Sequence, residues 1–253
     1  MHIPDGYLSP ESAAAMYAVS VPFWYTASRR VKKVLTSKMV PLLSIFAAFS
    51  FTIMMFNVPV PGGTTAHAVG GTLMAIVLGP WTAVIGVSVA LAIQAIFFGD
   101  GGITAFGANA FNMAIVLPMV GYLVYRLISA RAPAGSSRRV WAAAIGSYVG
   151  ISVAALCVGI ELGIQPLFWS LPNGQALYSP YPLQETVPAM LLAHMFGASI
   201  VEALVTGLGV AYLQRTRPEL LGAVEIAEKS AAPAATTQPS ALTPASTVER
   251  EGK

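Results

Sequence analysis

Charge is scarce in this chain. Of its 253 residues only 10% are Asp, Glu, Lys or Arg, while 55% are hydrophobic; a soluble domain carries about a quarter charged residues. Mean hydropathy is +0.67. Cysteine is almost absent: Cys157 stands alone inside an apolar run, which excludes a disulfide framework and a thiolate metal site and leaves it a small buried apolar residue. No GxxxxGK[ST] occurs, so the chain does not hydrolyse ATP by the P-loop route. HExxH is missing, which argues against a membrane zincin, and no Ser or Cys sits in a recognisable catalytic constellation. No basic stretch precedes an apolar core within residues 1–11, so this start does not read as a signal peptide and is expected to be retained.

What fills the chain is apolar sequence. Stretches of about 18 to 25 residues recur as far as residue 214, the pattern of an all-α, polytopic membrane protein. Seven spans are expected, at about 11–28, 39–57, 64–79, 81–98, 108–128, 140–162 and 187–213. Gly79-Pro80 divides the third from the fourth. From Ala227 the composition turns to Ala, Pro, Ser and Thr without an apolar face, so 227–253 is expected to be a disordered tail. Residues 1–215 form the membrane-embedded part.

Basic residues fix the expected orientation. Arg29, Arg30, Lys32, Lys33 and Lys38 follow the first span; Arg126, Arg131, Arg138 and Arg139 surround the fifth-to-sixth connection; Arg215 and Arg217 follow the seventh. The opposite loops, about 1–10, 58–63, 99–107 and 163–186, hold no Lys or Arg. The positive-inside rule puts the N-terminus outside and the tail in the cytoplasm, as an odd number of spans requires. The net charge of +3 thus reflects membrane orientation, and no nucleic-acid partner is expected.

Only three histidines are present, and one is His2. A free Met1 amine, the ionised His2 amide nitrogen and the His2 imidazole Nδ1 close a five- and then a six-membered chelate ring. That supplies three in-plane nitrogens, to which a square-planar ion such as Ni(II) adds one more. His67 is expected about one turn into the third span, entered from the same side, with Gly62, Gly63, Gly101 and Gly102 letting the outer loops lie close. Asn109 and Asn112, three apart, share a helix face and face the same outer pocket, or else cap and cross-link helices. Gln94 lines that pocket from the fourth span.

Two further groups are expensive in lipid, His194 and Glu202 in the last span. Eight residues apart, they sit about 80° from each other and only loosely share a face. Glu202 is read as structural or gating, and His194 as lining the pocket behind the ligands. Glu161 is expected to be a solvated carboxylate at the outer end of the sixth span, and Met54-Met55 ordinary packing. Small residues four apart, such as Gly146/Gly150 and Ala203/Gly207, predict close helix approaches. No inverted repeat is evident, which weighs against a self-sufficient secondary transporter.

Four segments together carry a resemblance: MHIPDGYLSP at 1–10, MMFNVPVPGGTTAHAVGGTLMAIVLGPW at 54–81, FFGDGGITAFGANAFNMAI at 97–115 and HMFGASIVEALVT at 194–206. They resemble the substrate-binding M subunits of nickel/cobalt energy-coupling-factor transporters, over about residues 1–215. The resemblance implies a seven-helix component of the cell membrane that captures the metal outside, holding it with the Met1 amine, the His2 amide and imidazole, and His67. It also implies partners: a transmembrane coupling subunit, cytoplasmic ABC-type ATPase subunits and small accessory membrane subunits. Ni(II) is the expected cargo, with Co(II) the alternative, and the metal is substrate rather than resident cofactor. Two other readings are a standalone ion-coupled permease and a membrane metalloenzyme built on His194 and Glu202. The tail departs from the resemblance.

Overall fold

The computed structural model describes residues 1–34, 39–60 and 64–221. Lys38, Gly62, Gly63 and the segment 227–253 lie outside them.

Helix α1 (Pro10–Val34) opens with Pro10 in its first turn, where a missing N–H costs nothing. The Ser9 hydroxyl caps it by accepting the Ser12 N–H at 3.1 Å. Glu11 near its start and Lys32 and Lys33 at its end complement the helix dipole. After α2 (Met39–Met54) the chain makes a small antiparallel hairpin, β1 (Val58–Pro59) against β2 (Thr65–Ala66), pairing Val58 with Ala66. Helix α3 (Gly71–Leu78) follows and is buried at every position. Gly79, at φ +88°, ends it, and Pro80 begins α4 (Pro80–Ile93) at once. The remaining helices are α5 (Phe106–Ala110), α6 (Leu117–Ser129), α7 (Ser137–Gly163), the short α8 (Gln165–Phe168), α9 (Leu183–Ala193) and α10 (Ser199–Thr216).

Three π-helical turns are inserted, at Gln94–Phe98, Phe111–Val116 and His194–Ala198. They continue α4, join α5 to α6 and join α9 to α10, so that among the described residues four continuous helices are long and apolar enough to cross a membrane: Pro80–Phe98, Phe106–Ser129, Ser137–Phe168 and Leu183–Thr216. These match the last four expected spans in position. Helix α2 is shorter, 16 residues, and α1 has the length without the hydropathy.

The third expected span is corrected. Of 64–79 only Gly71–Leu78 is helical; Thr65 and Ala66 are in the hairpin and His67–Gly70 form a loop. Hydropathy cannot separate an apolar loop from an apolar helix, and the β-branched Thr64 and Thr65 favour extended backbone. Gly70, at φ +75°, then turns the chain into α3.

Helix α7 is the hub, packing on α6, α9 and α10. Its approach to α6 depends on lacking side chains: a Cβ at Gly146 would stand 2.5 Å from the Gly121 carbonyl oxygen, and one at Gly150 2.6 Å from that of Leu117. Without a hydrophobic driving force between helices in lipid, such close backbone contact supplies the packing energy. Met74, Leu91, Met113, Leu117, Ile151 and Leu162 fill the interior around it.

Candidate metal-binding site

The first residues fold into the bundle. Met1, His2 and Ile3 are all buried. Asn109 clamps Ile3 from both sides, its Oδ1 accepting the Ile3 N–H at 2.8 Å and its Nδ2 donating to the Ile3 carbonyl at 3.0 Å. The Gly102 N–H also donates to that carbonyl, at 2.8 Å. The Thr64 hydroxyl donates to the His2 carbonyl, and the Met1 amine donates to the Thr65 carbonyl and, at 3.1 Å, to the Thr65 hydroxyl. Outside this buried part, the Asp5 carboxylate accepts the backbone N–H groups of Ile103 and Thr104 and the Thr104 hydroxyl. Gly101, at φ +90°, passes close over His2; a Cβ there would meet the ring carbon Cδ2 at 3.1 Å.

The two imidazoles meet inside. The His2 and His67 rings stack with centroids 4.6 Å apart and planes 25° from parallel. His2 Nε2 lies 3.2 Å from Gln94 Oε1, an atom that only accepts, so Nε2 carries the proton and Nδ1 the lone pair. Gln94 is oriented by its Nε2, which faces the Phe51 carbonyl at 3.5 Å. His2 Nδ1 makes no hydrogen bond but stands 3.3 Å from Asp100 Oδ1. A lone pair facing a carboxylate oxygen repels it unless a proton or a metal cation sits between the two. His67 donates from Nδ1 to the Ala68 carbonyl at 3.1 Å, which leaves Nε2 buried, basic and without a partner. Among the described residues nothing accepts the His2 amide N–H.

Burial removes protons from the chain start. It holds the Met1 amine well below its ordinary value, against the opposing pull of Asp100. It lowers His2 to about 3, helped by the nearby amine charge and opposed by the Gln94 hydrogen bond. Burial also raises Asp100, while the Thr104 side chain holds Asp5 below the usual carboxylate range. Burial thus favours the neutral forms of both the amine and the imidazole. No group of three His, Cys, Asp or Glu side chains able to hold a metal exists among the described residues. An ion here takes its nitrogens from backbone and imidazole, a donor set that suits late first-row metals.

The other expected pocket residues divide. Gln94 and Asn109 reach the chain start. Asn112 does not: its Nδ2 donates to Glu161 Oε2 at 2.8 Å. Asn112 lies in the π-helical turn Phe111–Val116 and bonds across to α7, the helix cross-linking alternative expected for the asparagines. Glu161 accordingly faces a helix partner, and its expectation as a solvated carboxylate is corrected. Glu202 is fully buried and accepts the backbone N–H groups of Val69 at 2.7 Å and Gly70 at 2.9 Å, capping the entry to α3. His194 donates from Nδ1 to the Met190 carbonyl at 2.8 Å, so its ring is not bonded to Glu202 and the two form no catalytic pair. Gln94, Asn112 and His194 each occupy one of the π-helical turns.

Sequence reasoning missed Thr64, Thr65 and Asp5. Their roles are hydrogen bonds to a segment 60 to 100 residues away, for which local sequence carries no signal; only the reversal at Asp5-Gly6 is marked as a turn.

Residues 2–220 match the family model for the cobalt uptake substrate-specific transmembrane region. The chain is 56% identical over 221 residues to a fused nickel transport protein of Rhodobacter capsulatus, covering 87% of this chain and 64% of that protein. It therefore spans a little under two thirds of that relative's length. A protein of Methanocaldococcus jannaschii named for metal transport is 50% identical over 226 residues, covering 89% of this chain and 96% of the other. A crystal structure of a truncated transition metal transporter superposes with a TM-score of 0.81 at 55% identity, covering 84% of this chain and 98% of that one. With its whole described bundle inside the match, the chain belongs to the CbiM family of substrate-specific transmembrane regions for cobalt uptake.

Proposed function

We propose that this chain is the substrate-specificity subunit of an ATP-driven importer and captures Ni(II) on the extracytoplasmic side. The cargo is held by the Met1 amine, the ionised His2 amide nitrogen, His2 Nδ1 and His67 Nε2. The observation that carries the reading is the pattern of free nitrogens. His2 presents an unbonded Nδ1, the atom a chelate ring needs, and His67 an unbonded Nε2, within stacked rings buried beside the amine.

Charge supports the same reading. A divalent ion with one ionised amide and the Asp100 carboxylate at 3.3 Å from the His2 ring makes a neutral assembly, which a buried site tolerates. Low-spin d⁸ Ni(II) gains from four nitrogens in a plane, whereas Zn(II) gains nothing from d-electrons. Co(II), the metal in the family's description, is the alternative cargo.

Asn109, Gln94, Thr64 and Thr65 orient the ligands, as partners one step behind a metal do. Energy comes from cytoplasmic ABC-type ATPase subunits acting through a transmembrane coupling subunit, with small accessory membrane subunits completing a multi-pass assembly in the cell membrane. The N-terminus faces outside and the tail the cytoplasm, following the basic loops.

The test is metal binding to the purified chain. One Ni(II) per chain is expected, with four nitrogen neighbours by X-ray absorption; six-coordinate, oxygen-rich nickel rules the planar site out. His2→Ala should weaken binding by on the order of 1,000-fold, about 4 kcal/mol, since it opens a chelate ring. His67→Ala should weaken it less, with water taking the fourth position.

A further inference from the structure

One buried histidine nitrogen is left over by the four-nitrogen chelate. His194 is fully buried; its Nδ1–H is locked onto the Met190 carbonyl at 2.8 Å, and its Nε2 has no partner. That is the same arrangement as His67, whose Nδ1–H is locked onto the Ala68 carbonyl and whose Nε2 is also buried and unpartnered. A ring N–H anchored on a backbone carbonyl, with the opposite nitrogen free, is how metal-ligating histidines are held. The two rings belong to one neighbourhood. Strand β2, immediately before His67, packs on the π-helical turn that begins with His194, and both His67 and the Met1 amine lie close enough to His194 to interact with its charge. The turn itself is a departure from regular α-helix of a kind that recurs at functional sites.

We infer that His67 Nε2 and His194 Nε2 form a second, weaker transition-metal station beside the N-terminal chelate. It goes beyond the capture site and shares only His67 with it. Its ligands are two neutral imidazoles with open positions for water, without an ionised amide and without a planar constraint. Such a station suits tetrahedral Zn(II) or Co(II) as readily as Ni(II). An ion leaving the chelate with His67 still attached would find its next nitrogen on His194. A single water donating to both free nitrogens would satisfy the same geometry, and the experiment separates the two.

Zn(II) is the probe, because it gains nothing from the planar field of the chelate and so reports the imidazole pair. The full chain in detergent is titrated separately with Zn(II) and with Ni(II). One Zn(II) is expected, bound more weakly than Ni(II), with imidazole neighbours from two histidines by X-ray absorption at the zinc edge. His194→Gln, whose amide can still donate to the Met190 carbonyl, should lower Zn(II) affinity about 10- to 100-fold and leave Ni(II) affinity within about threefold. His67→Gln should lower both affinities, and His2→Ala only that for Ni(II). Absence of Zn(II) uptake by the unmodified chain, zinc without imidazole neighbours, or Zn(II) affinity unchanged in His194→Gln overturns the second station and leaves water between the rings. The zinc-edge measurement needs no variant, so a His194 variant that fails to fold does not spare the proposal. Ni(II) binding untouched by both His2→Ala and His67→Gln would instead defeat the chelate reading, and the Zn(II) result would stand apart from it.

Discussion

The buried chain start and the buried start of α3 are held in different ways. The chain start is held by many partners spread over distant elements: Asn109 on α5, Thr64 and Thr65 at the hairpin, Gly102 and Thr104 in the loop before α5. Those bonds fall on carbonyls, on the Ile3 N–H, on the Asp5 carboxylate and on the amine, and they leave the His2 amide and Nδ1 free. At the entry to α3 the acceptors converge on one side chain, Glu202, which takes both the Val69 and the Gly70 N–H, while the buried Ser50 hydroxyl donates to the Val69 carbonyl at 2.7 Å. A distributed hold lets any one contact be lost at modest cost and keeps ligand nitrogens available. A concentrated hold places most of the cost on a single residue, here Glu202, which satisfies two buried N–H groups at once.

The sharpest way to break this comparison is at Glu202. Glu202→Ala leaves two buried backbone N–H groups without acceptors in a region that water does not reach. A loss of about 3 kcal/mol in stability follows, seen as a large drop in the thermal midpoint of the detergent-solubilised chain. Glu202→Gln keeps an acceptor oxygen and should lose about 1 kcal/mol. Equal, small effects from both would mean that α3 is held by its apolar packing, and the concentrated hold would be wrong. Asn109→Ala is the matching cut at the chain start. It removes both clamps on Ile3 but leaves Gly102, Thr64 and Thr65 in place, so Ni(II) affinity should fall about 10- to 100-fold with only a minor change in the apo midpoint. An Asn109 variant that unfolds as readily as Glu202→Ala would show that the N-terminal segment is no less dependent on one residue.

Much of this was legible in the sequence, and the failures have physical causes. Scarce charge and apolar length announced the helices, and Pro80–Phe98 through Leu183–Thr216 lie where hydropathy put them. The expectation that His2 meets His67 rested on the basic-loop pattern, which assigns both to the same side, and the two rings do stack. The third expected span differs because hydropathy does not separate an apolar loop from a helix, and the loop before α3 is held by Glu202, more than 130 residues away. Asn112 takes the helix cross-linking alternative, because its partner Glu161 lies on α7, a contact that spacing along one helix does not announce. Glu161, expected to be solvated, bonds instead to Asn112, a partner on another helix that local sequence does not show.

Proton stoichiometry sharpens the comparison from the side of the ligands. The distributed hold buries the amine and His2, and burial pushes both below their ordinary values, His2 to about 3. Both shifts favour the neutral forms in the docked segment, so the proton that Ni(II) is expected to displace is the one on the His2 amide. Affinity should rise about tenfold per pH unit, or about 1.4 kcal/mol, with one proton released in calorimetry run in buffers of different ionisation enthalpy. A slope of two would mean a charged amine at the site. The same shifts set the direction for docking without metal. The undocked segment binds protons that the docked one does not, so docking is strongest above the ordinary amine value of 8.0 and weakens as pH falls through that value and then through 6.5.

The smallest effect belongs to Asp5, the exposed end of the distributed hold. Its carboxylate accepts from Ile103, Thr104 N–H and the Thr104 hydroxyl, and the Thr104 side chain keeps it ionised below the usual carboxylate range. That contribution is present above the ordinary value of 3.8 and is lost only as pH falls through the lowered one, so it is complete at pH 7. Asp5→Asn keeps one oxygen acceptor and loses the charge, in a position where water competes for every bond. Ni(II) affinity should change by less than about threefold, under about 0.7 kcal/mol, because Asn109 and Gly102 continue to fix Ile3 two residues away. A tenfold loss would place the hold on the chain start at Asp5 alone and remove the contrast with Glu202.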